Sequence, residues 1–178
     1  DPPDPHRVDD LRRDRTDLEQ SLQSEMPLVR RDLQHAVGRG VEDRPAGADE
    51  RVDAWMRLES LGPGHDLVVV HVSAGNLFRR WPLLSFVQLA DRLSAGGHKR
   101  RIILTSGPSE AAAAAEVVRL VRERRPESPE AVRTCGDMSL DELHALIGRA
   151  RLYIGGDSGP LHVAATTRTP IVGLYGPT

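Results

Sequence analysis

Apolar residues change their spacing twice along this chain, and the changes divide it. Within residues 1–47, Leu11, Leu18, Leu22, Met26, Val29 and Leu33 recur at intervals of three, four or seven. That is the stripe of a helix, broken near Pro27, whose ring does not fit a helix interior. Asp1-Pro2-Pro3-Asp4-Pro5 precedes the stripe, and a polar, turn-rich stretch from Arg39 to Gly47 follows it. Residues 1–47 therefore read as a partly helical arm and linker. Residues 48–61 place Val52, Trp55, Met56 and Leu58 on an amphipathic helix that Gly62-Pro63-Gly64 ends.

From Leu67 the spacing becomes that of strands alternating with helices. Residues 67–72 read as one strand, apolar at every position but His71, as in a parallel strand covered on both faces. Residues 85–93 predict a helix with Phe86, Leu89, Ala90 and Leu93 inward, and 101–104 a second strand. Residues 110–124 predict a helix built on an alanine run, and 131–134 a short third strand. Residues 140–150 predict a helix opened by a capping box, Ser139 with Glu142 three residues on. Strands at 152–154 and 171–174 complete the set. The pattern predicts an α/β fold, a Rossmann-like doubly wound parallel sheet over residues 48–178, since parallel neighbours require crossovers. Such a sheet ordinarily continues past a fifth strand, so the C-terminus is read as truncated. A first residue of Asp rather than Met agrees with an excised or processed piece.

Composition narrows the function. Hydrophobic residues make up 39% of 178, and 16 glycines bring the chain near an ordinary globular share. No apolar run approaches the roughly 18 residues of a membrane span. The single cysteine, Cys135, excludes an internal disulfide framework and a cysteine-rich zinc site; it reads as a buried small hydrophobe rather than a nucleophile. Residues 1–66 carry 16 acids against 10 bases, and residues 67–178 carry 10 against 14. A mildly basic sheet suits an anionic ligand, but it is far from a nucleic-acid footprint, and stacking aromatics are scarce. No nucleic-acid partner is expected.

Ligands of open parallel sheets bind beyond the carboxyl ends of the strands, and four loops leave such ends here. After the first strand, Ser73-Ala74-Gly75-Asn76-Leu77-Phe78-Arg79-Arg80-Trp81-Pro82 offers small residues and guanidiniums for phosphate oxygens, with Pro82 suited to a first helical turn. An ordinary loop with solvated arginines and a packing Trp81 explains the same residues. After the second strand, Glu110 either accepts a ribose diol or simply favours a helix N-terminus. After the third, the Cys135-Gly136-Asp137-Met138-Ser139 loop either wraps a base or caps a helix. The fourth loop is the most informative. Gly155-Gly156-Asp157-Ser158-Gly159-Pro160-Leu161-His162 ends a strand and opens a helix, where free amides and a hydroxyl make an anion site within reach of His162. No G-x-G-x-x-G follows a strand, and no P-loop, G-x-S-x-G elbow or catalytic metal spacing occurs.

The run Asp157-Ser158-Gly159-Pro160-Leu161-His162-Val163-Ala164-Ala165, followed by Thr169-Pro170-Ile171-Val172-Gly173-Leu174-Tyr175-Gly176-Pro177-Thr178, resembles the signature of the ADP-heptose:lipopolysaccharide heptosyltransferases, glycosyltransferase family 9. Arg79-Arg80-Trp81-Pro82 resembles that family's basic-basic-Trp-Pro segment. Met138-Ser139-Leu140-Asp141-Glu142-Leu143 is similar to the segment before its third helix. The resemblance spans about residues 48–178. It implies the C-terminal, donor-binding half of a GT-B glycosyltransferase, inverting and independent of metal, with ADP-heptose as donor and a lipopolysaccharide-core or other glycan as acceptor.

On that resemblance Ser73 and Arg79 meet the diphosphate, Glu110 the ribose and the Met138 loop the adenine. Ser158 and Gly159 hold phosphate through backbone amides, and Asp157 and His162 lie near the sugar–phosphate junction. No metal or other cofactor is implied. Two departures stand out. The family often has Lys where Arg79 stands, and its general base is a carboxylate of an N-terminal domain that residues 1–50 cannot supply. The chain alone is therefore expected to bind nucleotide weakly and to transfer no sugar. A cytoplasmic location with peripheral contact at the inner membrane face would follow. Another nucleotide-sugar enzyme of the same architecture, and a non-catalytic nucleotide-binding domain, stay open as alternatives.

Overall fold

Asp66–His71 (β1), Arg100–Thr105 (β2), Val132–Thr134 (β3), Leu152–Gly156 (β4) and Ile171–Leu174 (β5) pair in the order β3-β2-β1-β4-β5, every pair parallel. The computed structural model describes residues 47–72 and 81–175. The expected helical pieces of the arm lie outside the described residues. Between the strands run Leu83–Ser94 (α2), Ala111–Arg124 (α3), Leu140–Gly148 (α4) and Gly159–Ala165 (α5), with Ala48–Leu58 (α1) ahead of β1. The doubly wound parallel sheet is thus present, and the strand order reverses between β1 and β4.

Alternation along the strands sorts the core into two layers, because successive side chains face opposite ways. Val68 and Val70 of β1, Ile102 and Leu104 of β2 and Ile154 of β4 pack under Phe86, Val87 and Ala90 of α2 and Val117 and Val121 of α3. Leu67, Val69, Ile103 and Tyr153 face the other way, toward Val52 of α1, Leu143, Leu146 and Ile147 of α4 and Leu161 and Ala164 of α5. Val69, Val70, Ile102 and Ile103 are fully buried. Such side chains contribute about 1.5–3 kcal/mol each on leaving water. Trp81 packs edge-on against Phe86, ring centroids 5.2 Å apart at 90°.

Where the elements depart from the sequence reading, backbone chemistry explains why. The first helix stops at Leu58, which is 85% exposed rather than part of the apolar stripe. Ser60 adopts a left-handed φ of 55°, its N–H donates to Arg57 O, and Leu61 N–H donates to Met56 O at 2.8 Å. This reversal closes the helix end and turns Leu61 into the core in place of Leu58. Pro82 is the N-cap of α2, not its first helical residue, with ψ of 142°. Pro108–Glu110 forms a 3-10 turn, so the α-helix begins at Ala111 rather than at Glu110.

The capping box forms as expected. Glu142 N–H donates to Ser139 Oγ at 3.3 Å, and Ser139 N–H donates to Glu142 Oε2 at 2.8 Å. α1 packs on α4, and charged pairs join them. Arg149 Nε donates to Asp53 Oδ1 at 2.7 Å, and Arg51 Nε donates to Glu142 Oε1 at 2.6 Å. That guanidinium and the cap bonds hold the Glu142 carboxyl down, to about 2. Among the described residues no helix is long and apolar enough to cross a membrane.

Candidate functional site

β4 continues two residues past the expected end. Gly155 and Gly156 pair with Gly173 and Leu174 of β5, and Gly155 also pairs with His71 of β1. The chain leaves β4 at Asp157, and Ser158 is the N-cap of α5 in extended conformation (φ −153°, ψ 169°). Its hydroxyl donates to Gly156 O at 3.3 Å rather than to an amide of the helix, so no side chain caps the first turn. Pro160 follows in that turn without an N–H of its own, and Leu161 N–H bonds back to Ser158 O at 3.0 Å. Asp157 and Ser158 are half-buried, while Gly159 and His162 are exposed.

Glu110 closes the 3-10 turn after β2. Ser109 Oγ donates to its Oε2 at 2.7 Å, and its N–H donates to Gly107 O at 3.0 Å. A Cβ on Gly107 would approach Glu110 Oε2 to 2.9 Å, so glycine leaves the space in which the carboxylate lies. After β3, Met138 is half-buried against the second core layer, just ahead of the Ser139 cap of α4. Cys135 is buried, and burial raises its thiol to about 11, in keeping with a packed hydrophobe. Ser73 and Arg79 lie outside the described residues. Among the described residues no group of three His, Cys, Asp or Glu side chains could hold a metal ion.

The described positions among these follow the carboxyl ends of parallel strands and so share one edge of the sheet. The strand order sets their sequence along it: Met138 beyond β3, Glu110 beyond β2, the exit of β1 next, then Asp157, Ser158, Gly159 and His162 beyond β4. With strands about 4.8 Å apart, the line from β3 to β4 covers roughly 14 Å.

One residue at this edge carries no signal in the apolar pattern. His71, the last residue of β1, is 4% exposed, and its Nδ1 shares a 2.9 Å hydrogen bond with Thr105 Oγ1 at the end of β2. Burial pushes its imidazole down to about 4, against an opposing pull from Glu110, so it is neutral at pH 7. Its one available clue was a polar residue at the end of an otherwise apolar central strand.

The family model for glycosyltransferase family 9 (heptosyltransferase) matches residues 15–178. Lipopolysaccharide heptosyltransferase 3 of Escherichia coli is 34% identical over 131 residues, which is 70% of this chain and 36% of that protein. Lipooligosaccharide heptosyltransferase 2 of Haemophilus influenzae is 29% identical over 100 residues, 56% of this chain and 28% of that one. The structure of E. coli ADP-heptose lps heptosyltransferase II superposes with a TM-score of 0.63 at 25% identity, covering 76% of this chain and 39% of that one. A family 9 glycosyl transferase from Veillonella parvula shares the fold, with a TM-score of 0.60 at 24% identity over 74% of this chain and 35% of its own. The chain thus spans about a third of the length of these relatives.

Proposed function

The chain belongs to glycosyltransferase family 9, the heptosyltransferase family, and we propose that within it residues 48–178 form the donor-binding half of a GT-B enzyme. The reaction we assign moves heptose from ADP-heptose to a lipopolysaccharide-core or other glycan acceptor, with inversion and without a metal ion. The observation that carries the reading is the order of residues along the carboxyl edge. A thioether suited to a base (Met138), a carboxylate suited to a ribose diol (Glu110), the carboxyl end of β1, and an uncapped helix start (Ser158, Gly159) follow one another. Base, ribose, diphosphate and sugar follow one another in a nucleotide sugar. The similarity to the E. coli ADP-heptose lps heptosyltransferase II supports the adenine and heptose assignments.

In this reading the chain's own residues bind and polarise. Glu110 accepts both ribose hydroxyls. Ser158 and Gly159 offer backbone amides to phosphate oxygens, and Arg79 adds a cation. As the glycosidic C–O bond breaks, negative charge collects on the departing ADP, and donors already aimed at it stabilise that state in place of a metal. Asp157 and His162 stand next to the sugar–phosphate junction. The carboxylate that takes the acceptor's proton belongs outside residues 1–178, so the chain alone should bind ADP and transfer no sugar. A glycolipid acceptor would bring the enzyme to the cytoplasmic face of the inner membrane.

Calorimetric titration with ADP, UDP and GDP tests the assignment. ADP should bind with at least a tenfold preference, and Arg79→Ala should weaken it about three- to thirtyfold, the worth of one charge-assisted contact or less. A preference for UDP or GDP would make the enzyme one that uses a different donor. Binding of none would overturn the donor reading.

A further inference from the structure

The sheet row nearest the carboxyl edge is built differently from the row beneath it. In register across the strands the upper row reads Thr105, His71, Gly155, Gly173, and the lower row Ile103, Val69, Tyr153, Ile171. Both rows face α1, α4 and α5, since residues two apart share a face. A parallel sheet covered on both sides ordinarily holds apolar residues throughout. The lower row follows that rule except at Tyr153, and the upper row breaks it at Thr105 and His71, both 4% exposed.

Tyr153 belongs with the polar pair by position. A Cβ placed on Gly155 would lie 2.5 Å from Tyr153 Oη and 2.9 Å from its ring. The phenol therefore leans from the lower row into the space Gly155 leaves, toward the ligand edge and beside His71. His71 and Gly155 are register partners on adjacent strands about 4.8 Å apart, so the phenol and the imidazole stand on the same face of neighbouring strands where the strand order reverses. Tyr153 is 0% exposed, yet its hydroxyl has no hydrogen-bond partner among the described residues. A buried hydroxyl without a partner destabilises a fold, and phenylalanine would fill the same space without that penalty. A tyrosine aimed at the switch point with its hydroxyl unengaged is accounted for by an oxygen that arrives with the ligand.

We infer that Tyr153 and His71 are positioning residues of the donor site, forming with Thr105 a polar floor under the diphosphate whose hydrogen bonds are completed only when the donor is bound. The inference rests on the donor-domain reading. Oxygens of the diphosphate, or a water trapped beneath them, supply the missing partner.

The test pairs stability with binding on the 178-residue chain, with ADP as probe. Tyr153→Phe should melt at or above the wild-type temperature, having lost only an unpartnered hydroxyl, yet bind ADP at least fivefold more weakly. His71→Asn keeps a polar group toward Thr105 and should stay within about threefold of wild type, while His71→Phe should lose about tenfold. A crystal structure of the ADP complex separates the two sources of the partner, a phosphate oxygen or a water within 3.2 Å of Tyr153 Oη. If Tyr153→Phe and His71→Phe both bind ADP as the wild type does, the floor is packing and the inference is wrong. If the wild type binds no nucleoside diphosphate, the donor reading fails and takes the inference with it.

Discussion

His71 shows how one buried side chain couples the end of a strand to pH. Its imidazole ordinarily titrates near 6.5, and burial brings it to about 4 in the folded chain. Between those values the unfolded state takes up a proton that the folded state refuses, so stability is complete above pH 6.5 and falls as the pH drops toward 4. At about 1.4 kcal/mol per unit, the loss attributable to His71 is on the order of 3 kcal/mol. Denaturant melts at pH 7 and pH 4.5 should show this loss in the wild type and less of it in His71→Asn. An unchanged difference in the variant would place the acid sensitivity elsewhere. The apolar period could not flag His71, because a strand is recognised by its hydrophobic residues and the exception at its end reads as noise. Glu110, Met138 and the Asp157-Ser158-Gly159 run were legible for the opposite reason. Each follows a recognisable strand, and parallel strands bring all their carboxyl ends to one edge.

Among the elements, the continuous apolar strands and the Ser139–Glu142 capping box could be read directly, since both have strong local chemistry. Element ends could not. Gly155 and Gly156 carry the signature of a turn, yet pairing with β5 extends β4 through both. Residues 48–61 suggested that Leu58 faces the core, but Ser60 stops the helix in a conformation that residues other than glycine seldom adopt, and Leu61 takes the place instead. Arg133 secures that reversal, its Nη1 donating to Glu59 O at 2.8 Å. Because a left-handed serine is strained, Ser60→Gly should stabilise the chain by about 0.5–1 kcal/mol, the relief slightly exceeding glycine's greater loss of freedom on folding. A rise in Tm of about 1–4 °C is the expected readout. A fall would mean that the serine side chain makes a contribution this geometry does not explain.

At the scale of the molecule, the doubly wound sheet translates strand order into the proposed ligand order. The strands run β1, β2, β3, β4 along the chain but stand as β3, β2, β1, β4 in space, and that order is what the proposed sequence of base, ribose, diphosphate and sugar subsites rests on. The chain covers about a third of the length of its relatives, and the proposed division of labour leaves acceptor and base outside it. Coupled to no acceptor, it should retain nucleotide binding and yield no glycosidic product with ADP-heptose. Product formation by this chain alone would place the base within residues 1–178.

The order of subsites can be read directly by NMR titration of the labelled chain with adenosine, AMP and ADP in turn. Adenosine should move the Met138 methyl and the residues around Glu110 while leaving the Ser158 and Gly159 amides in place; ADP should move those amides as well. Shifts that begin at Ser158 and Gly159 with adenosine, or that never reach Met138, would contradict the proposed orientation of the donor along the sheet edge.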